Sequence, residues 1–175
     1  MADKIAELKI RKSLGRSGGW NEKNDERFFD STTGAFNRDA LNTWGQIEMN
    51  MAKRHKIPLT VVMFDIDAFK SVNDRLGHLN TDKLLKKTIG DLKDSLRKID
   101  LLFRYGGDEF VIFLLDCDQF RAQKYILPEV EKVFLKNTLT ISTGMQEVGN
   151  YTNLEDVLGV VDKRLYVVKE QKKHE

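Results

Sequence analysis

The chain has 175 residues, of which 41% are apolar and 32% charged; this balance is typical of one globular domain and excludes a disordered or collagen-like chain. With 29 basic and 27 acidic residues the net charge is only +2, too small to indicate a nucleic-acid polymer or a membrane surface as partner. A single cysteine, Cys117, excludes an internal disulfide and favours a reducing compartment. No apolar run approaches the about 20 residues that span a bilayer, and the N-terminus lacks the apolar segment of a signal peptide. These features predict a cytoplasmic protein with no membrane segment, whose function depends on a local site.

Residues 1–28 are polar and interrupted by glycines, which predicts a linker ahead of a domain at residues 29–175. The first element of that domain is an amphipathic helix, predicted from about residue 38 to 54. Its inward face repeats at three- and four-residue steps: Leu41, Trp44, Ile47 and Met51.

The remaining elements follow from apolar spacing and turn residues. In chain order they are a buried strand at 59–65, a polar turn at 70–80, a helix at 80–98, strands at about 100–105 and 109–115, a helix at 118–136 interrupted by Pro128, a strand at 138–144 and a helix at 153–170. The Gly106–Gly107 pair between two apolar runs is typical of a hairpin. The order β-α-β-β-α-β predicts an α+β fold with a ferredoxin-like core, a mainly antiparallel sheet and extra helices at both ends.

Four carboxylates are predicted to collect at one edge of this sheet. Asp65 and Asp67 end the buried strand, and Asp108 and Glu109 follow the two glycines. Because the first strand and the hairpin are neighbours in this strand order, Asp65 and Asp108 can face one another, and carboxylates that close repel unless a cation lies between them. Mg²⁺ combines a few carboxylate oxygens with phosphate oxygens. An isolated D-x-D is more often a turn of solvated acids, but the glycines leave room here for a bulky ligand.

Other polar residues have an ordinary structural interpretation when taken one by one. Lys70 is a loop lysine that could meet a phosphate, while Asn73 could cap a turn and Asp82 could stabilise a helix start. Arg97 and Asp100, spaced R-x-x-D, are usually a surface pair. Their interpretation therefore depends on the longer pattern around them.

Five ordered segments resemble the GGDEF family, the diguanylate cyclases. FRYGGDEFVIF resembles the family's signature, DSTTGAFNRDAL its opening motif, FDIDAFKSVNDRLGH its strand and turn, LTISTG its last strand and VDKRLYVVK its C-terminal helix. The resemblance covers about residues 29–173, and five blocks in order are specific where a lone pentapeptide is not. It implies a nucleotidyl-cyclase or polymerase-palm-like fold. It also implies an enzyme that joins two GTP molecules into cyclic di-GMP, with release of pyrophosphate, at a head-to-head homodimer.

The resemblance implies a divalent-metal site, for Mg²⁺ or alternatively Mn²⁺. Its ligands are the side chains of Asp65, Asp108 and Glu109 and the carbonyl of Ile66. The three acids are also the implied catalytic residues, with Glu109 as a further ligand or a proton acceptor. Asp67 matches the family as well, and we expect it to support the turn by hydrogen bonding.

The resemblance also implies where the nucleotides bind. The implied substrate-binding residues are Phe69, Lys70, Asn73, Asp82, Gly106, Gly107, Lys169 and Lys173. Among them Asn73 and Asp82 read guanine, because one carboxylate can accept from both N1–H and the exocyclic amine, donors that adenine lacks in that arrangement. Arg97 and Asp100 match the family's R-x-x-D site, at which bound product inhibits the enzyme.

The sequence departs from the family pattern at a few positions. Thr32 and Ala35 replace the usual residues of the opening motif, and Thr81 replaces a glycine. Lys172 and Lys173 stand where the family has glycine and a phosphate-binding arginine. Lysine keeps the charge but loses the bidentate geometry of arginine, so weaker GTP binding is expected.

Three functions fit these observations. The intact stretch from Gly106 to Phe110 favours an active diguanylate cyclase. The alternative is a catalytically weak or inactive GGDEF module that binds cyclic di-GMP as a regulatory domain. A structural dimerisation domain is the third, but it would have no use for the intact acids.

Overall fold

The computed structural model describes residues 26–174. The predicted linker at 1–28 therefore lies outside the described residues up to residue 25. Glu26–Phe28 form one turn of 3-10 helix. The ring of Phe28 packs on Trp44 with ring centroids 4.8 Å apart.

The fold consists of a four-stranded sheet and five main helices within the described residues. The strands are β1 (Leu59–Ile66), β2 (Leu101–Arg104), β3 (Glu109–Leu115) and β4 (Ile141–Glu147). The helices are α1 (Arg38–His55), α2 (Phe69–Leu76), α3 (His78–Ser95), α4 (Leu127–Lys136) and α5 (Leu154–Lys173). The sheet order is β2-β3-β1-β4 with every neighbouring pair antiparallel. The predicted α+β fold with a β-α-β-β-α-β core is confirmed.

The central strand β1 is buried along its whole length, because helices cover both faces of the sheet. Side chains alternate between the faces: Val62 and Phe64 pack in the core with α3 and α4, and Val61 and Met63 in the core with α1 and α5. By the same alternation Asp65 lies on the α1 and α5 face. This placement brings the last turns of α5 to the carboxyl end of β1.

Helix α1 buries Leu41 and Trp44 as its apolar spacing predicts, but the rest of its buried face is rotated away from the predicted one. Ile47 and Met51 are only half-buried, whereas Gly45 and Glu48 are buried. A Cβ on Gly45 would lie 2.8 Å from Leu154 Cδ2, so the glycine allows α1 and the start of α5 to approach closely. That approach rotates Glu48 into the core.

Three other predictions need correction. The stretch 70–80 is wrong as a polar turn, because α2 begins at Phe69 and buries Val72 against the core. The last strand begins at Ile141 rather than Thr138, whose φ of 58° is left-handed and incompatible with a strand. The 118–136 helix is divided by a π-helical turn at Ala122–Ile126, and Pro128 lies in the first turn of α4 as expected.

None of the helices in residues 26–174 combines the length and the apolar character needed to cross a bilayer.

Candidate active site

Asp65 lies at the end of β1 and is the most enclosed of the three predicted carboxylate ligands, with 5% of its surface exposed. Burial raises the pKa of Asp65, and the neighbouring charges of Asp108 and Glu109 add to that rise, while Lys169 opposes it. The Lys169 ammonium lies 2.5 Å from Asp65 Oδ2. The structure thus places an acid that requires a cation at this edge, and α5 supplies one.

Asp67, two residues further on, links the β1–α2 turn to two other elements. Its carboxylate accepts hydrogen bonds from Ser142 Oγ and Lys172 Nζ, each at 2.7 Å. Burial alone would raise the pKa of Asp67, but these hydrogen bonds outweigh it and leave the pKa below its ordinary value. Asp67 supports the turn, as expected.

The β2–β3 loop carries the two glycines and is held by Arg104. The Arg104 guanidinium donates to the carbonyls of Gly106 and Gly107, the latter at 2.6 Å from one nitrogen. It also donates to Asp30 at 2.9 Å, which ties the loop to the segment before α1. These contacts fix the loop before any ligand binds.

Asp108 and Glu109 follow directly and are half-buried. Glu109 pairs with Asp65 in the β1–β3 register, and the Asp108 carbonyl accepts the amide of Ile66 at 3.2 Å. A Cβ on Gly106 would lie 2.6 Å from Glu109 Oε2, whereas one on Gly107 would meet open space. Gly106 therefore makes room for Glu109, and Gly107 leaves an open surface in front of the acids.

The amino end of α2 lies next to Asp67. Ala68 precedes the helix with a left-handed φ of 52°, and no side chain of residues 26–174 caps the helix. The first backbone N–H groups of such a helix attract anions. Lys70 is exposed in this first turn and Phe69 packs partly into the core, so the predicted phosphate residues surround an uncapped helix end.

The predicted guanine-reading residues lie on two consecutive helices, Asn73 on α2 and Asp82 on α3. The helices join at Gly77, whose φ of 76° is left-handed. Thr81, the departure from the family pattern, is buried, and its hydroxyl donates to the Gly77 carbonyl at 3.1 Å. The local backbone therefore accommodates the threonine.

The two implied phosphate cations of α5 differ in placement. Lys169 contacts Asp65, but the ammonium of Lys173 pairs with Glu170 of its own helix at 2.6 Å, and its side chain is 68% exposed. Neither Arg104 nor Lys172 is among the site residues that the sequence predicts. Lys172 stands three residues after Lys169, a helical spacing that places both on one face and that could have indicated its contact.

Arg97 and Asp100 form a bidentate salt bridge with each other. The guanidinium donates to both carboxylate oxygens, at 3.0 and 2.7 Å, and to the Leu115 carbonyl at 2.6 Å. The Asp100 side chain is 1% exposed and that of Arg97 is 36% exposed. Burial would lower the pKa of Arg97, but the contact with Asp100 raises it above its ordinary value. Asp100 therefore holds Arg97, and the arginine is the member that a ligand can reach.

A groove of about 220 Å³ opens beside Arg97. Its walls combine apolar side chains, among them Phe29, Phe36 and Leu96, with the cationic residues Lys93 and Lys98. This combination suits a flat ring that carries a phosphate.

The acids at the end of β1 fit a hard cation such as Mg²⁺. The donors are carboxylate oxygens, and their mutual repulsion contributes to the raised pKa of Asp65. Within residues 26–174, however, no three acidic, histidine or cysteine side chains converge as a finished metal cage. Mg²⁺ usually takes one or two carboxylates together with phosphates, so the donor set here fits an ion that arrives with a nucleotide.

Comparison with known proteins identifies the family. The sequence profile described as "Diguanylate cyclase, GGDEF domain" matches residues 27–175. The chain belongs to the GGDEF family. Similar curated proteins include diguanylate cyclase DosC of Escherichia coli K12, 34% identical over 149 residues, which cover 80% of this chain and 32% of DosC. Diguanylate cyclase DgcP of Pseudomonas aeruginosa is 41% identical over 100 residues, or 56% of this chain and 14% of DgcP.

Solved GGDEF structures share the fold. Diguanylate cyclase SiaD of Pseudomonas aeruginosa, solved with its activator SiaC, superposes with a TM-score of 0.79 at 26% identity, over 97% of this chain and 68% of SiaD. A microbial GGDEF domain solved with cyclic di-GMP gives a TM-score of 0.75 at 26% identity, over 82% of this chain and 94% of that one. The chain spans about a third of the length of DosC. The palm-like α+β fold is confirmed.

Proposed function

We propose that this GGDEF domain is an active diguanylate cyclase that condenses two GTP molecules into cyclic di-GMP and two pyrophosphates. The observation that carries the proposal is the arrangement at the end of β1, where Asp65, Asp108 and Glu109 adjoin the uncapped start of α2 and the ammonium of Lys169. These groups supply what phosphoryl transfer needs, namely carboxylates for a divalent ion and positive groups for a triphosphate.

The residues of the chain bind and orient the nucleotide in this reaction. The N–H groups at the start of α2, with Lys70 and Lys169, hold the phosphates, and Asn73 and Asp82 read the guanine. Asp65, Asp108 and the Ile66 carbonyl would hold Mg²⁺, which would neutralise charge on the triphosphate and acidify the attacking hydroxyl.

Two copies of the domain complete the reaction, because each supplies one GTP. The 3′-oxygen of one GTP bonds to the α-phosphorus of the other, the bond to the bridging oxygen breaks, and pyrophosphate leaves. Glu109 accepts the hydroxyl proton. A second, equivalent attack closes the ring.

The direct test is incubation with GTP and Mg²⁺ over a range of protein concentrations, with chromatographic separation of the nucleotides. We expect cyclic di-GMP and pyrophosphate, and a specific activity that rises with protein concentration because two copies must meet. Binding of cyclic di-GMP without turnover at any concentration would favour the regulatory module instead. Absence of both turnover and binding would leave the structural dimerisation domain.

The guanine-reading assignment predicts a preference for GTP over ATP of at least about a hundredfold, because ATP leaves the Asp82 carboxylate unpaired. Asp82→Ala should erode this preference more than it slows turnover. The measurement is kcat/KM for both nucleotides. Equal use of ATP and GTP by the parent protein would contradict the assignment.

The Arg97 groove predicts product binding. Arg97→Ala is expected to weaken binding of cyclic di-GMP by about thirtyfold to a hundredfold in calorimetry, because charge-assisted hydrogen bonds to phosphate are lost. The reaction should then stall later, and inhibition of the parent should be non-competitive with GTP.

Arg97→Ala alone leaves the buried Asp100 carboxylate unpaired. The paired change Arg97→Met with Asp100→Asn therefore tests binding without an unpaired buried charge. The exposed Arg54 provides the control variant Arg54→Ala. Equal binding by parent and variants would make Arg97 an ordinary surface residue.

A further inference from the structure

Lys172, in the last turn of α5, contacts two other elements of the site. Lys172 Nζ donates to Asp67 Oδ2 and to the Ile141 carbonyl, each at 2.7 Å. The ammonium thereby joins three elements that are distant in sequence: the end of α5, the β1–α2 turn and the start of β4. The final turn of a helix otherwise has few backbone hydrogen bonds to hold it.

This attachment determines where Lys169 lies. Lys169 precedes Lys172 by three residues, so both project from the same side of α5. One meets Asp65 and the other meets Asp67. The two contacts align α5 with the residues that precede the uncapped amino end of α2, to which the proposed function assigns the phosphates.

Lys172 also neutralises the negative charge of Asp67 in the β1–α2 turn. The Asp67 carboxylate accepts hydrogen bonds from Ser142 Oγ and Lys172 Nζ, each at 2.7 Å, and an aspartate carries a negative charge at neutral pH. An unpaired carboxylate beside the turn that binds a triphosphate would repel it. With Lys172 in place, the turn carries the positive group of Lys70 and the helix N–H groups without an opposing charge.

Within the part of the chain that the structure describes, Lys173 makes no comparable contact. Its ammonium lies on Glu170, and its side chain is 68% exposed. We propose that Lys172, rather than Lys173, is the positioning residue of the nucleotide site: it holds α5 on Asp67, neutralises that carboxylate and so presents Lys169 and the β1–α2 turn to the triphosphate. The inference rests on the proposed function, because it concerns the same GTP site.

Calorimetry with a GTP analogue that carries a methylene bridge between the α- and β-phosphates, in the presence of Mg²⁺, measures binding without turnover. Lys172→Met is expected to weaken binding about tenfold or more, because it removes two charge-assisted contacts and exposes the Asp67 charge. Lys172→Arg keeps the charge and should restore most of the affinity. Lys173→Met should have the smaller effect, and Lys163→Met, an exposed lysine on the same helix, is the control.

The double variant Asp67→Asn with Lys172→Met separates neutralisation of the Asp67 charge from general damage to the fold. Removing the Asp67 charge should recover much of the affinity lost in Lys172→Met, an effect that a purely structural loss would not show. Unaltered binding by Lys172→Met, a larger loss in Lys173→Met, or no recovery in the double variant would overturn the inference and leave the proposed function in place. If the parent itself fails to bind the analogue, the proposed function fails and the inference fails with it.

Discussion

Replacing Asp108 by asparagine is expected to reduce formation of cyclic di-GMP by at least about a thousandfold. The substitution keeps the size of the side chain but removes one of the negative charges that would hold a divalent ion beside Asp65 in the proposed function. The measurement is the initial rate of product formation with GTP and Mg²⁺.

The stability of Asp108→Asn should equal or exceed that of the parent. Asp108 contributes to the raised pKa of the buried Asp65, so removing its charge relieves repulsion. Thermal unfolding of the same samples checks this. Asp94→Asn is the matched control, since Asp94 is exposed on α3. Activity of Asp108→Asn within about tenfold of the parent would contradict the metal-ligand assignment.

Replacing Glu48 by methionine is expected to stabilise the protein by about 3 kcal/mol above neutral pH. Glu48 is 1% exposed, and neither carboxyl oxygen has a hydrogen-bond partner among the described residues. Burial raises its pKa from 4.5 to about 7. Methionine has a similar length and no polar atom that burial would leave unpaired.

The gain from Glu48→Met should depend on pH in a defined direction. Below pH 4.5 the carboxyl is protonated in both the folded and unfolded states, so ionisation contributes nothing. Between pH 4.5 and about 7 the unfolded state is ionised first, so the stability of the parent falls as pH rises and levels off above that range. The variant lacks this decline.

Thermal unfolding at pH 4 and pH 8 measures the effect. At pH 8 we expect the melting temperature of Glu48→Met to exceed that of the parent by about 6–12 °C, and the difference should shrink at pH 4. Glu48→Gln separates the charge from the unpaired polar group, and Glu131→Gln, on the exposed side of α4, is the control. A difference between variant and parent that does not change with pH would show that the pKa of Glu48 is the same in the folded and unfolded states, which would contradict the prediction.

The predictions for α2 and α1 differ from the structure for the same physical reason. The segment after Asp67 is so polar that its helix depends on Val72 packing into the core, a contact that the local pattern does not display. In α1 the apolar spacing favours Ile47 and Met51, but the close approach of Leu154 over Gly45 decides which face is buried. Tertiary packing overrides local preference in both helices.

The candidate site likewise combines features that the sequence predicts with features that depend on tertiary packing. Asp65, Asp108 and Glu109 could be placed together from the sequence, because the strand order follows from the element order and brings the ends of β1 and the hairpin side by side. The lysines that pair with Asp65 and Asp67 could not be predicted from the sequence. Lys169 and Lys172 reach Asp65 and Asp67 from more than 100 residues away, and no local spacing encodes that contact.

By itself the sequence determined the β-α-β-β-α-β order, the hairpin at Gly106–Gly107 and the family, because these depend on alternation, turn residues and motifs that are continuous along the chain. The tertiary structure was needed to show that Asp100 is enclosed behind Arg97, that Lys172 contacts Asp67 from the end of α5, and that buried Glu48 has no hydrogen-bond partner among residues 26–174. Each of these features depends on which distant parts of the chain pack together. Packing determines the burial and the neighbours of a charged side chain, whereas the sequence gives only its position along the chain.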